Sequence, residues 1–520
     1  MHSTPFLPAS NLIDAMAQNK LIVKNTIFMY TRMILIMGVT LYASRVVLDK
    51  LGVQDFSLYN VVGGIVGMLS FLNGTLSTGT SRFITYELGT KDENRLLQTY
   101  RTSVFAHLLL ALIITAILET AGLWYVYCKM VIPPERLFAT LVVYHISIFA
   151  TFISIVQIPY TALIIAHEDM KVYAYVGIFD AMARLGVVFC LSIGSSDKLI
   201  MYAALTAVAQ LLVSGCYALY CMKHYRECKF GFTFNKQIFK SLICFSGWNV
   251  LANLSETLKL QGYLILTNLF FQPFMVAAQT IANQVSGALI QFINNFRNAV
   301  NPQIIKLYAS KQYEESKQLT MQTTVYVFEL CMLIGLPAIF IMKTIMNIWL
   351  VEVPDYAVVF TQYIIVQRII GSFDSAFYTP MVAAAKIKSN SIFAAVSGPL
   401  MFVALYFIFK EKGDVMWMMY LGVIFQCAFG FFIKPILLTR DVESYRLSDF
   451  LSCFITCAKV TAVSLALTFG AYKLTGNDGI PESLALATVS ALSVALASYI
   501  FLDKTTRRKL NAFILKKAGL

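Results

Sequence analysis

The chain has 520 residues, 58% of them hydrophobic and only 13% charged, and 41 Lys+Arg against 28 Asp+Glu give a net charge of +13. Soluble domains carry about 45–50% apolar and about 25% charged residues, and a mean hydropathy of +0.68 cannot be hidden inside one water-soluble globule. A soluble enzyme, a nucleic-acid-binding domain and a disordered scaffold are excluded, and the solvent of this chain is largely lipid.

Residues 1–19 are mixed and polar, and residues 1–24 read as a cytoplasmic N-terminal segment without a cleaved signal peptide. About fourteen runs long enough to cross a bilayer follow. They start near Asn25, Ser57, Thr102, Phe138, Val172, Lys198, Ser241, Phe274, Leu319, Tyr356, Ser391, Asp414, Ser452 and Pro481. The links are short, and none could hold a separate soluble domain. The predicted fold class is an all-α polytopic membrane protein. Residues 25–222 form an N-lobe of helices 1–6, 223–240 a cytoplasmic linker, and 241–440 a C-lobe of helices 7–12. Residues 441–502 supply helices 13–14, and 503–520 form a basic cytoplasmic tail.

An even span count puts both termini on one side. With that side cytoplasmic, inner segments hold about 26 of the 41 Lys+Arg and outer ones about eight, the bias expected of cytoplasmic loops. About seven remain within spans: Arg32, Arg45, Arg184, Lys259, Arg297, Arg368 and Lys459.

The two halves echo each other at an offset of about 220 residues, the signature of an internal repeat. Leu51–Phe56 precedes the second span as Leu269–Phe274 precedes the eighth. Lys91 pairs with Lys311, Gln98 with Gln318, Pro134 with Pro354, Pro159 with Pro380 and Gly177 with Gly398. The unit is six spans, so the halves share one membrane orientation and are related by an axis along the membrane normal.

Polar residues in a bilayer must face protein or water. The eighth span carries Thr280, Gln284, Gly287, Gln291, Asn294 and Asn298 on one helical face. The second span carries Asn60, Gly64, Gly67, Ser70, Gly74, Ser77 and Ser81, which reads equally as cavity lining and as close helix packing. The seventh carries Ser246, Asn249, Asn253 and Glu256, with Lys259 beyond. Spans two and eight are repeat equivalents, as are one and seven, so a hydrophilic cavity shared by the halves is expected.

Cations at bilayer depth cost at least about 2.5–3.5 kcal/mol each on insertion scales. Lys259 can pair with Glu256, and Asp180 with Arg184. Arg45 and Lys459 lie near span ends, where they can snorkel, and Asp374 is an awkward candidate partner for Arg368. Arg32 and Arg297 have no local partner, and with Lys259 they are the predicted contacts for an anionic substrate group, because a guanidinium binds phosphate through two donors at once. The predicted lining is completed by Asn60, Asn249, Asn253, Gln284, Gln291, Asn294 and Asn298. Asp180, Glu256, Glu329 and Asp374 are the within-span acids that could bind a coupling proton or Na⁺.

No phosphate-loop, HExxH or GxSxG pattern occurs. His107 and His145 lie on neighbouring spans and could meet. Cys453 and Cys457 lack further ligands, so no metal site is expected. No catalytic residue and no cofactor is predicted, and the outer links are too short for a glycosyltransferase loop.

Two stretches carry a resemblance: Leu51-Gly52-Val53-Gln54-Asp55-Phe56-Ser57-Leu58-Tyr59-Asn60-Val61-Val62-Gly63-Gly64, and Thr80-Ser81-Arg82-Phe83-Ile84-Thr85-Tyr86-Glu87-Leu88-Gly89. With the span count and the repeat, the chain resembles the polysaccharide-exporter branch of the multidrug/oligosaccharidyl-lipid/polysaccharide (MOP) superfamily, closest to bacterial O-antigen and capsule flippases. The resemblance implies an inner-membrane protein that moves a polyprenyl-diphosphate-linked oligosaccharide between leaflets by alternating access. Its implied partners are this lipid-linked oligosaccharide, membrane lipids, a polysaccharide polymerase and glycosyltransferases, with no nucleic acid. It also implies a V-shaped cavity lined by spans one, two, seven and eight, which Arg32, Lys259 and Arg297 match in kind and in helix. Related lipid II flippases carry a basic residue within span two, whereas this chain has only Arg82 at that helix's end. The competing reading is a cation-coupled multidrug exporter of the same superfamily, which should present net acid in its cavity.

Overall fold

A computed structural model describes the backbone of residues 9–69, 80–81, 83–88, 92–167, 169–191, 197–228, 233–384, 386–475, 479–502 and 507, without the side chains of 9–35, 170, 243–253, 295, 298, 299, 302, 306 and 309. Among the described residues there is no strand.

The first element, α1 (Ala9–Gly67), holds spans one and two and is broken at Gly52, where φ is 75°. Glycine alone takes that conformation without strain, so it makes the turn between the two limbs. Then come α2 (Glu93–Cys128), α3 (Leu137–Ala166), α4 (Met170–Leu191) and α5 (Lys198–His224). The second lobe holds α6 (236–270), α7 (Pro273–Ala309), α8 (Tyr313–Phe340) and a short α9 (Met342–Trp349). It is completed by α10 (Ala357–Ala383), α11 (Lys388–Lys410) and α12 (Trp417–Asp441). Helices α13 (Leu447–Thr475) and α14 (Ile480–Phe501) follow. This is the expected all-α polytopic membrane fold, two pseudo-symmetric six-helix lobes plus two C-terminal helices.

Nine helices among the described residues are long and apolar enough to cross a membrane. Helix α10 is not one of them, because Gln362, Gln367, Arg368 and Asp374 dilute its apolar run. The outward faces carry exposed Leu112, Trp124, Phe138, Phe189, Leu400, Phe407 and Leu492. Such a surface is stable only against lipid.

The repeat recurs in the packing. In the first lobe α2 packs on α3, α3 on α5 and α1 on α4; in the second α8 packs on α10, α10 on α12 and α6 on α11. Pro159 and Pro380 interrupt α3 and α10 at matching depths. The lobes differ at one seam. In the second, Ser255 on α6 takes the Gly398 N–H at 2.8 Å and also bonds Ala394 O, and any Cβ on Gly398 would overlap Ser255. In the first, Ile36 of α1 and Gly177 of α4 line a cavity instead. Helices α13 and α14 lie outside the repeat and dock on α8; Thr468, Ser490 and Ser493 bond between them.

Three π turns interrupt α2, α6 and α12, at Leu118–Gly122, Leu258–Gly262 and Ala428–Ile433. A π turn inserts an extra residue and frees backbone carbonyls, which other groups must satisfy. At the first, Tyr144 donates its hydroxyl to Leu118 O at 2.6 Å.

The lobes meet at the end of the molecule that carries Gly52. There Ser57 donates to Pro273 O at 2.5 Å, Tyr125 to Ile265 O at 3.4 Å, and the Val131 N–H to Asn268 Oδ1 at 3.2 Å. Nearby, Arg45 donates to Ile348 O at 2.9 Å and Trp349 to Leu41 O at 2.7 Å. Arg45 therefore caps the C-terminal end of α9 instead of reaching for the interface. A Cβ on Gly64 would meet Gln261 at 3.6 Å and one on Gly67 at 3.3 Å, so these two glycines of the small-residue stripe serve packing between lobes. At the opposite end the linker clasps α2: Arg101 Nη1 bonds Thr233 Oγ1 at 2.9 Å, and Asn235 bonds Gln98 and Thr102.

Three loops of the first lobe are tied at the Gly52 end by Arg136. It forks onto Asp55 through Nε at 2.8 Å and through Nη2, and reaches Asp197 through Nη1 at 2.7 Å. Burial pushes the Asp55 carboxyl above its usual range, against the pull of Arg136. Burial acts the same way on Asp197, but hydrogen bonds from Arg136, Ile200 N–H and Leu199 N–H outweigh it and hold that group below the usual range. The two carboxylates thus shift in opposite directions although they share one cation. Asp197 adds stability that is full above the unfolded carboxylate pKa and is lost as pH falls through its lower folded value. Asp55 contributes with the opposite sign. Arg136→Gln is expected to destabilise the protein by about 1–3 kcal/mol at neutral pH. That deficit should shrink as pH falls, first as Asp55 protonates and then, at lower pH, as Asp197 does. Thermal unfolding in detergent across pH measures it.

Candidate substrate pathway

Inside the first lobe, α1, α3, α4 and α5 surround a cavity of about 580 Å³. Asp180 and Arg184 line it and pair at 3.1 Å, the i,i+4 contact expected from their spacing. Across from them, Gln157 Oε1 accepts from Gln210 at 3.0 Å and from Ser214 at 2.5 Å. Tyr59 and Tyr202 stand together with ring centroids 4.6 Å apart, and Asn60 lies beside them. Gln284 of α7 reaches this cavity from the other lobe, and its Oε1 is buried without a hydrogen-bond partner.

The second lobe holds the cations. Lys259 sits on the π turn of α6, bonds Glu256 at 3.0 Å and lies 4.6 Å over the Phe425 ring. Arg368 of α10 donates to Ser286 Oγ of α7 at 2.7 Å and is an electrostatic neighbour of Glu256. This group carries one more cation than anion. At 1.5 Å per residue, Asp180, Lys259, Gln284 and Arg368 each lie about 16 Å from the Gly52-side end of their helices. That is the middle of a hydrocarbon core about 30 Å thick.

A second group lies deeper, about 25 Å along α10 and α12. Lys434 directly follows the π turn of α12 and pairs with Asp374 at 2.8 Å; its side chain is 3% exposed against 31% for Asp374. Lys434 also lies 5.1 Å over the Tyr378 ring. Arg297 donates to Ser375 Oγ at 2.6 Å and to Thr379 Oγ1 at 3.4 Å, while its Nε is buried without a partner. Asp374 faces both cations, so this group too has an excess positive charge.

These positions redistribute the expected residues. Gln284 and Asn60 reach the first-lobe cavity, and Gln291 and Asn294 are exposed on α7. Arg297 lies on a row of α7 turned about 100° from that polar stripe and faces α10. Arg368 does not pair with Asp374, whose partner is Lys434. Glu329 sits among α8, α13 and α14, beside Ser498 and Cys457 and away from both groups. His107 and His145 do not meet: His107 bonds Ser103 O and His145 bonds Glu119. Arg32, Asn249, Asn253 and Asn298 lie outside the described side chains, and Arg82 outside the described residues.

Sequence reasoning missed Lys434, because it counted the end of span twelve as a loop. The signal was present: Lys434 follows seven apolar or small residues and precedes Pro435 and three more apolar residues. It also paired Asp180 with Arg184 and counted Asp180 among the possible coupling acids without placing the pair at a void, because nothing in the spacing shows that it faces one.

No protein-family model matches the chain, and no curated protein matches it in sequence. Solved structures share its fold. A multidrug resistance MATE family transporter of the MOP superfamily, in an inward-facing conformation, superposes with a TM-score of 0.66 at 14% identity, covering 78% of this chain and 96% of that one. An outward-facing conformation of such a transporter gives 0.55 at 14% identity over 79% and 95%. A MOP superfamily transporter from Pyrococcus furiosus, described as having a binding pocket of reversed polarity that suggests a different function, gives 0.53 at 13% identity over 82% and 94%. At these identities the likeness concerns the fold.

Removing one member of a buried ion pair strands the other. Lys434→Met is expected to destabilise the protein by less than the about 3–5 kcal/mol of a fully buried pair, because Arg297 still faces Asp374, and Lys434→Met with Asp374→Leu to recover part of the loss. Unfolding of the two single variants and the double variant in detergent reports the coupling.

Proposed function

We propose that this protein is an alternating-access transporter of the MOP type that carries a polyprenyl-diphosphate-linked oligosaccharide across the bacterial inner membrane, with both termini cytoplasmic. The observation that carries this reading is the sign of the charge. Around the central helices Lys259, Arg297, Arg368 and Lys434 stand against Glu256 and Asp374. An excess of buried cations is expensive without an anion to meet, and a diphosphate supplies it through charge-assisted hydrogen bonds.

The chemistry of transport then follows from the parts. Sugars need hydrogen-bonding walls, which the amide and hydroxyl groups of α7 and the first lobe offer. The polyprenyl tail stays in lipid. With the N-terminus cytoplasmic, the Gly52 end is periplasmic, and it is sealed by Ser57–Pro273 and the neighbouring bonds. The better superposition on an inward-facing transporter agrees with a gate shut on that side. Substrate moves the equilibrium only through different affinities for the two states. Asp374 and Glu256, each already beside a cation, and Asp180 are the acids in position to couple a proton or Na⁺. Delivery of the lipid-linked unit to a polymerase, after assembly by glycosyltransferases, is the corresponding place in glycan synthesis.

A second reading is a cation-coupled multidrug exporter, favoured by the described activity of the MATE neighbours. It requires net acid where this chain has net base.

The test uses purified protein in liposomes with a fluorescent short-chain polyprenyl-diphosphate-sugar and an impermeant quencher. Wild type is expected to exchange probe between leaflets, and Arg368→Gln or Arg297→Gln to slow exchange at least about tenfold. Absence of exchange under any ion gradient, together with accumulation of a cationic dye, moves the assignment to the drug exporter.

A further inference from the structure

The first-lobe cavity, about 580 Å³ at mid-membrane depth, carries none of the central cations. Its wall is neutral, because Asp180 and Arg184 cancel each other at 3.1 Å. It joins aromatic faces, Tyr59 and Tyr202, to a fixed amide and hydroxyl set, Gln157, Gln210 and Ser214. A charged guest gains nothing there, and a purely apolar guest would strand the amides. Uncharged sugar rings suit both halves of the wall: their C–H faces stack on the tyrosines, and their hydroxyls both donate and accept.

One atom points to the same guest independently. Gln284 lines the cavity, and its Oε1 is enclosed without a hydrogen-bond partner. An acceptor left without a donor is unsatisfied, so turning the Gln284 amide toward a hydroxyl held in the cavity is favoured. Gln284 belongs to α7, the helix whose next row holds Ser286 against Arg368. The cavity and the central cations are therefore about one helix diameter, roughly 10 Å, apart, a distance that a diphosphate and its first sugar bridge.

We infer that the first-lobe cavity is a saccharide subsite that takes the uncharged sugar rings next to the diphosphate, and that Gln284, reaching in from the other lobe, hydrogen-bonds the bound sugar. This rests on the lipid-linked oligosaccharide reading and extends it. The sugar is held by one lobe and the diphosphate by the other, so the ligand itself spans the interface. Gln284 is a contact that occupancy makes and movement of α7 breaks.

The test is equilibrium binding to the full chain in nanodiscs. The probes are a short-chain polyprenyl diphosphate without sugar and the same lipid bearing glucose, N-acetylglucosamine, galactose or glucuronic acid. Wild type is expected to bind at least one neutral-sugar probe tenfold or more tighter than the sugarless lipid. Gln284→Leu and Gln157→Leu are expected to lose that gain while binding the sugarless lipid within twofold of wild type, which also certifies that they are folded. A gain that survives in both variants, or a wild type with no gain for any neutral sugar, overturns the subsite and leaves the diphosphate reading standing. A wild type that binds none of the probes, sugarless lipid included, overturns the functional reading itself.

Discussion

The structure depends on one constraint: within about 30 Å of hydrocarbon, no polar group can be left to water that is not there. The charge pairs and groups within the spans obey it in one of two ways. Some are closed locally, as Asp180 by Arg184. Others sit in groups with one cation in excess, Lys259–Glu256–Arg368 and Arg297–Asp374–Lys434, both in the second lobe. A chain that keeps several cations at that depth keeps them for a purpose beyond folding, since well-packed apolar replacements are often no less stable.

The duplication explains how one architecture hosts two environments. The same helix pairs recur in both lobes, and Pro159 and Pro380 lie at matching depths in α3 and α10. Yet where Ser255 bonds the Gly398 N–H in the second lobe, Gly177 and Ile36 line a cavity in the first. Near the depth where the second lobe has Asp374 and Lys434, the first has Ser154 and Ser214. Repeats supply the frame, and substitutions at equivalent depths divide the labour: a neutral, hydroxyl- and amide-lined void in one lobe, and cations in the other. The π turns contribute to this division by shifting helical register where Lys259 and Lys434 sit.

Much of the fold is legible in the sequence because lipid allows few solutions. Runs of about 20 apolar residues become helices, and the pairing of Lys259 with Glu256 and of Asp180 with Arg184 follows from helical spacing. What periodicity cannot give is azimuth between helices. Arg297 shares a helix with Gln284, but one row of difference turns it to Ser375 and Thr379 instead of the cavity. Arg368 faces Ser286 because α10 packs along α7, which no spacing within α10 reveals. Lys434 escaped notice because hydropathy alone cannot tell a basic residue at a helix end from one buried beside a carboxylate on another helix. Glu329 is within a span yet faces α13 and α14, helices outside the repeat.

The account makes the two lobes rigid bodies that a shared ligand rocks about a gate at the Gly52 end. Electron–electron distances between spin labels at Gln54 and Gln272, in a cysteine-free background in nanodiscs, read that gate directly. Without ligand the account predicts one short distance across the sealed end. With a polyprenyl-diphosphate-sugar it predicts a second, longer population that Arg368→Gln diminishes. A distance that stays single and short with saturating ligand, while binding is demonstrated in the same sample, would contradict it.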